Sequence, residues 1–146
     1  MNAASQREQA GFDLRQHEID ILARTLWGEA RGEGEAGMAA VAAVIVNRAR
    51  RPGWWGRSIV EVCLRPWQFS CWNAGDPNRD KLLRVGPIDN GFAAALRIAR
   101  LASAGLLPDP THGATHYHAA DIQPGWARGH EPCARIGRHL FYDRIT

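Results

Sequence analysis

Glu29 is the residue of this sequence best placed to do chemistry, in the stretch from Leu22 to Arg48 that reads LARTLWGEARGEGEAGMAAVAAVIVNR. Ile19, Leu22, Ala23, Leu26 and Trp27 recur at three- and four-residue steps, which predicts a helix from about Glu18 to Ala30, ending near Gly32 and Gly34. Glu29 then sits on the last turn, where the partial negative charge of a helix C-terminus disfavours an anion. If its side chain also leans on Trp27 and the apolar helix that follows, desolvation raises its pKa further. A carboxylic acid still protonated near neutrality can donate its proton. Gly28 and Ala30 leave room beside it for something bulky. The same local pattern also describes an ordinary solvated glutamate on an amphipathic helix.

Three constellations compete. The first is Glu29 as a general acid above a groove containing Gln68, Trp72 and Tyr117, since aromatic faces and amides suit sugars. Cleaving a glycosidic bond requires protonation of the leaving oxygen while positive charge develops at the ring, and one carboxyl group kept protonated is the minimum equipment. Core packing accounts for at least half of the six tryptophans. The second is a metal site: His116 and His118 share one face of a strand and, with His112, His130 or His139, offer three ligands to zinc with one position open for water. The third is a cysteine nucleophile at Cys71 or Cys133, although nothing adjacent in sequence activates either thiol.

These residues must be held by a scaffold, and its elements are legible in outline. Ala36 to Arg50 is apolar on every side between Met38 and Val46, the signature of a helix buried all round and hence of the core. It stops where arginines meet its negative end and Pro52-Gly53 cannot continue it. Ser58 is a plausible N-cap for a short helix, Ile59 to Leu64, with Glu61 completing a capping box. A short helix over Asn78 to Leu83 and a long one over Gly91 to Ala104, capped by Asp89 or Asn90, follow. Thr115 to His118 alternates like a strand, Gly125 to Arg135 looks like a loop, and Ile136 to Tyr142 again like a strand. The fold class is therefore α+β, mainly α, with a small antiparallel β element near the C-terminus. Residues 1–16 are polar and irregular and are expected to form a tail.

Composition narrows the classes. The chain has 146 residues, 45% hydrophobic and 23% charged, which suits one globular domain rather than a disordered or membrane protein. The run from Met38 to Val46 is too short to span a bilayer. A formal net charge of +3 from scattered arginines is no nucleic-acid tract. Cys63, Cys71 and Cys133 announce no disulfide framework or zinc motif, though one bridge is open to them. The N-terminus lacks the features of a secretory signal peptide.

Gly28-Glu29-Ala30-Arg31-Gly32-Glu33, Asn47-Arg48, Gln68-Phe69-Ser70, His116-Tyr117-His118, Pro124-Gly125-Trp126-Ala127 and the run Ile136 to Tyr142 resemble, in this order, the cell-wall hydrolases related to the spore cortex-lytic enzymes. The resemblance runs from about Ile21 to Tyr142. It implies a lysozyme-like catalytic domain over residues 17–146, with a groove for a peptidoglycan glycan strand. Glu29 matches the family's catalytic acid, and Gln68, Phe69, Trp72, Tyr117 and His118 become the expected substrate-binding residues. It further implies lytic transglycosylase action on the bond between N-acetylmuramic acid and N-acetylglucosamine, with no metal or cofactor. The expected partner is the glycan strand, with no nucleic acid and no membrane insertion, and the chain is expected to be a monomer. Without an export signal it looks more like a phage endolysin, made in the cytoplasm and released to act on the wall in the periplasm. Two alternatives stay open: a zinc-dependent N-acetylmuramoyl-L-alanine amidase, and a non-catalytic wall-binding module. Hydrolysis would require a second, water-activating carboxylate, which Glu33, Glu35, Asp76 or Asp121 could supply.

Overall fold

A computed structural model describes residues 2–146. Among the described residues, helices α1 (Ala3–Ala30), α2 (Gly34–Arg50), α3 (Ile59–Leu64), α4 (Pro77–Arg84) and α5 (Asn90–Ser103) precede strands β1 (His116–Ala119), β2 (Ala134–Ile136) and β3 (His139–Tyr142). The strands form one antiparallel sheet in the order β1-β3-β2. The architecture is mainly helical with a small sheet near the C-terminus, as the patterning predicts.

The helix starts have identifiable causes. Ser58 Oγ accepts from the Glu61 amide at 3.1 Å, while Glu61 Oε2 accepts from the amide of Arg57 at 2.9 Å, so the reciprocal bond lands one residue earlier than in a standard capping box. Asp76 caps α4 through the Asn78 amide, with Pro77 preset in the first helical position. Asp89 caps α5 through the Phe92 amide at 2.9 Å and also accepts from the Trp27 indole at 3.1 Å, which ties the start of α5 to α1.

The core gathers where α1, α2 and α5 face one another. Leu22, Leu26, Val41, Ile45, Phe92 and Ala95 are buried there, and burying each large side chain contributes roughly 1.5–3 kcal/mol against exposure. α2 also has a second buried face, with Ala40 and Val44 packed against Ala114 and Phe141 from the sheet side. This is why its sequence shows no polar stripe: one face meets helices and the other the sheet. Asn47 Nδ2 donates to Asp109 Oδ2 and to the Ala114 carbonyl, each at 2.9 Å, and thereby fixes the chain entering β1 to the end of α2.

Two expectations need correction. The polar segment before Gln16 is helical from Ala3, capped by Asn2, whose Oδ1 accepts from the Ser5 amide at 2.9 Å. From Ala3 to His17 this helix is almost wholly exposed, so it has no apolar stripe for periodicity to find; good helix formers and local pairs such as Gln9 to Asp13 hold it instead. The expected single strand from Ile136 to Tyr142 is instead part of a hairpin, with Ile136 opposite His139 across Gly137-Arg138. Gly137 takes φ 57° at the first central position of this two-residue turn, a conformation glycine adopts without steric cost.

Candidate functional site

Glu29 occupies the last turn of α1, as its sequence context predicts, and is half-buried. Its Oε1 accepts a hydrogen bond from the backbone N–H of Cys71 at 3.3 Å, in the short 3-10 turn Ser70–Trp72, and the Cys71 thiol supplies a second. Burial raises the carboxyl above the ordinary glutamate range, and this outweighs the Cys71 bonds, which act to lower it. The Asp76 carboxylate adds to the rise and His139 opposes it. The leading cause is thus desolvation by burial; the Trp27 indole N–H is engaged by Asp89, and the Arg31 guanidinium lies 4.0 Å from the Trp27 ring centroid.

The space beside Gly28 is not open. A Cβ there would meet Cys71 Cβ and Sγ at 2.8 Å and Leu82 Cδ2 at 3.2 Å. The missing side chain admits Cys71, which then reaches Glu29. Close packing, not room for a ligand, is the use of this glycine.

Two cavities are lined by residues that act on the carboxyl. The larger, about 580 Å³, is lined by Arg48, Trp54, Gln68, Phe69, Tyr117 and Trp126, together with His116 and the last two residues of the chain. The smaller, about 360 Å³, is lined by Glu33, Asp121, Arg135, Arg138 and His139 with two alanines from the end of β1. Tyr117 belongs to the first and His139 to the second, and their rings meet edge-on with centroids 5.4 Å apart. Both stand within electrostatic reach of Glu29: the carboxylate, after burial, pushes the Tyr117 phenol up, and His139 stabilises the anion. Glu29 lines neither cavity itself and lies between residues that do.

Of the residues expected to bind substrate, Gln68, Phe69 and Tyr117 come together on the larger cavity. Just before Gln68 the backbone turns through Trp67, which takes the left-handed φ of 68°, unusual for a bulky side chain, and leaves its ring 82% exposed. Trp72 and His118 do not join them. The Trp72 indole donates to Thr25 Oγ1 at 2.9 Å and its ring packs against the helical core. His118 is 5% exposed, with Nε2 bonded to the Tyr142 hydroxyl at 2.9 Å and Nδ1 to the Ala119 carbonyl at 2.7 Å. Strand alternation explains this, because Tyr117 and His118 necessarily point to opposite faces.

The zinc set is not assembled either. Both nitrogens of His118 are occupied, and among the described residues no three His, Cys, Asp or Glu side chains are close enough to share a metal ion. His116 instead lies between the Trp55 and Trp126 rings, at 5.9 and 5.2 Å, and burial beside Arg48 depresses its pKa to about 4, so it presents a neutral ring to the larger cavity. Cys63, Cys71 and Cys133 are free thiols.

Arg48 is the lining residue the sequence conceals. Read as a helix-end cation, it is only 7% exposed, donates from Nε to the Thr115 carbonyl at 2.7 Å and places its guanidinium 5.5 Å from the Trp55 ring centroid. The signal was its spacing: Gly37, Val41, Val44 and Arg48 fall on one buried face of α2. Trp126 and Trp54 were hidden for another reason, since each lies far in sequence from Glu29.

Comparison with known proteins bears on this arrangement. Residues 32–142 match the family described as Cell Wall Hydrolase, a span that opens just beyond Glu29. The chain belongs to the cell wall hydrolase family. The spore cortex-lytic enzyme of Halalkalibacterium halodurans is 32% identical over 126 residues, 86% of this chain and 34% of that protein. That of Bacillus subtilis is 31% identical over 130 residues, covering 86% and 37%. The chain thus spans about a third of the length of these curated relatives. Among solved structures, the catalytic domain of the Bacillus cereus SleB protein superposes with a TM-score of 0.69 at 28% identity, covering 88% of this chain and 91% of that one. The catalytic domain of the germination-specific lytic transglycosylase SleB from Bacillus anthracis gives 0.67 at 28% identity, covering 88% and 95%. The helical body with its small sheet is therefore the fold of the SleB catalytic domain.

Proposed function

We propose that this domain degrades the glycan strand of bacterial cell-wall peptidoglycan as a lytic transglycosylase, with Glu29 acting first as acid and then as base. One observation carries the reading: among the described residues, Glu29 is the one side-chain carboxyl raised above its ordinary range, and it stands within electrostatic reach of Tyr117 and His139, each of which lines a different cavity. Kinship with SleB catalytic domains supports the substrate class.

In the first step the Glu29 carboxyl gives its proton to the glycosidic oxygen as the bond from the muramic acid C1 breaks, leaving oxocarbenium character at the ring. In the second, the Glu29 carboxylate takes the proton of the C6 hydroxyl as O6 bonds to C1, closing a 1,6-anhydro ring. No water is consumed, and the enzyme ends with its proton restored. Gln68, Phe69 and Tyr117 hold the sugar beside the carboxyl. The Cys71 bonds keep the side chain aimed and moderate its rise in pKa, which helps a group that must both give and take a proton.

The competing hydrolytic route needs a carboxylate for water. Glu35 is paired with Arg97 on the exposed surface and Asp76 is committed to capping α4, whereas Glu33 and Asp121 line the smaller cavity, so the digestion products decide between the two routes. Purified sacculi treated with the Glu29→Gln variant test the proposal, since the isostere keeps the shape and removes the transferable proton. Turbidity loss is expected to slow by about 10²–10⁴-fold, and mass spectrometry of wild-type digests should give anhydro-ended glycans. Undiminished activity in that variant, or reducing-end products, would overturn it.

A further inference from the structure

The smaller cavity differs in chemistry from what a neutral N-acetylated sugar requires. Glu33 and Asp121 set carboxylates against its space, and Arg135 and Arg138 set guanidiniums there. Yet none of the four is in a salt bridge: among the described residues the ion pairs join Arg24 to Asp20, Arg97 to Glu35 and Arg144 to Asp143. Opposite charges around one space, left unpaired with each other, form a slot that fits a ligand carrying both signs.

Glu33 reaches the slot across two glycines. Its stem crosses Gly37, where a Cβ would collide with it, and its Oε2 would lie 2.8 Å from a Cβ on Gly137. Two glycines, one on α2 and one in the β2–β3 turn, thus accommodate this one side chain. Arg135 and Arg138 bracket the same turn, so hairpin and helix joint converge on the slot.

We infer that this charged slot binds the stem peptide of the muramic acid being cleaved, so that the preferred substrate is peptide-bearing peptidoglycan rather than bare glycan. The inference rests on the glycosidase reading above and adds a substrate class to it. The stem begins at the lactyl group on C3 of muramic acid, a few bonds from the C1 that reacts. A sugar whose glycosidic oxygen faces Glu29 therefore carries its peptide into the immediate neighbourhood, and His139, which borders the slot and acts on Glu29, marks that neighbourhood. The peptide's carboxylates suit Arg135 and Arg138, and its free amine suits Glu33 and Asp121. Uncharged acetamido sugars would gain little from these groups, whereas the aromatic cavity on the other side suits them.

The test compares kcat/KM on peptide-bearing glycan strands and on strands freed of peptide by an amidase, for wild type and for the Arg135→Ala/Arg138→Ala double variant. Both arginines are exposed, so the fold should survive, which melting curves check. Wild type should prefer the peptide-bearing strands by about tenfold, as charge-assisted bonds of this kind support, and the double variant should lose most of that preference. Equal wild-type rates on the two substrates, an equal fall on both in the variant, or an unchanged preference would overturn the inference. If wild type cleaves neither substrate, the glycosidase reading fails separately. Calorimetric titration with a disaccharide-tetrapeptide then decides the slot by itself: binding that weakens about tenfold in the double variant supports it, and equal or absent binding refutes it.

Discussion

The two cavities beside Glu29 are built from different materials. The larger is walled by rings and a buried arginine: Trp54, Phe69, Tyr117 and Trp126, with Arg48 held against Trp55 and the Thr115 carbonyl. The smaller is walled by Glu33 from the helix joint, Asp121 from just beyond β1, and Arg135 and Arg138 from the β2–β3 hairpin. Flat ring faces read mainly shape, whereas unpaired ions read mainly charge. On the proposed function, the aromatic cavity meets the sugar chain and the charged one the stem peptide.

The variant expected to harm both sides most, after loss of Glu29 itself, is Gly28→Ala. Its methyl group would press on Cys71 and Leu82, and overpacking of this kind costs about 1–3 kcal/mol. Thermal unfolding should report that loss, and activity should fall on peptide-bearing and bare strands together because Cys71 carries the bonds to Glu29. Next comes Trp54→Ala, which removes a half-exposed ring from the aromatic side only. A drop of about threefold to tenfold in kcat/KM is expected, equal on both substrates. That pattern is the reverse of the arginine double variant, and a Trp54→Ala effect confined to peptide-bearing strands would break the division of labour.

The smallest effect distinguishes position from charge. The Cys71 thiol stabilises the Glu29 carboxylate and so lowers a pKa that burial raises. Removing it in Cys71→Ala leaves the acid form favoured to higher pH, and the alkaline limb of the pH–activity profile should move upward. Cys71→Ser, which keeps a donor, should leave the limb close to its wild-type place. A downward shift in the alanine variant would show that the thiol does not act on the ionised form.

The larger cavity was half legible in the sequence and the smaller one was not. Gln68 follows a proline-ended helix and Tyr117 stands in an alternating strand, so local signals name them, while Phe69 is named by the family resemblance. Trp72, named by its local pattern, and His118, named by the resemblance, are spent on Thr25 and Tyr142, partners remote in sequence. The charged slot arises only when Gly137 turns the chain and Glu33 reaches across to it, a meeting that no periodicity encodes. The helices were readable wherever they bury an apolar face. The start of α1 was not, since a polar helix in water shows no stripe.

The three thiols have a chemical consequence. Burial drives Cys63 up to about 12, Cys71 higher still, and Cys133 above its usual range. Alkylating agents and mild oxidants attack the thiolate, and near neutrality almost none exists in this domain. The sulfur beside the Glu29 carboxyl is thereby kept chemically silent.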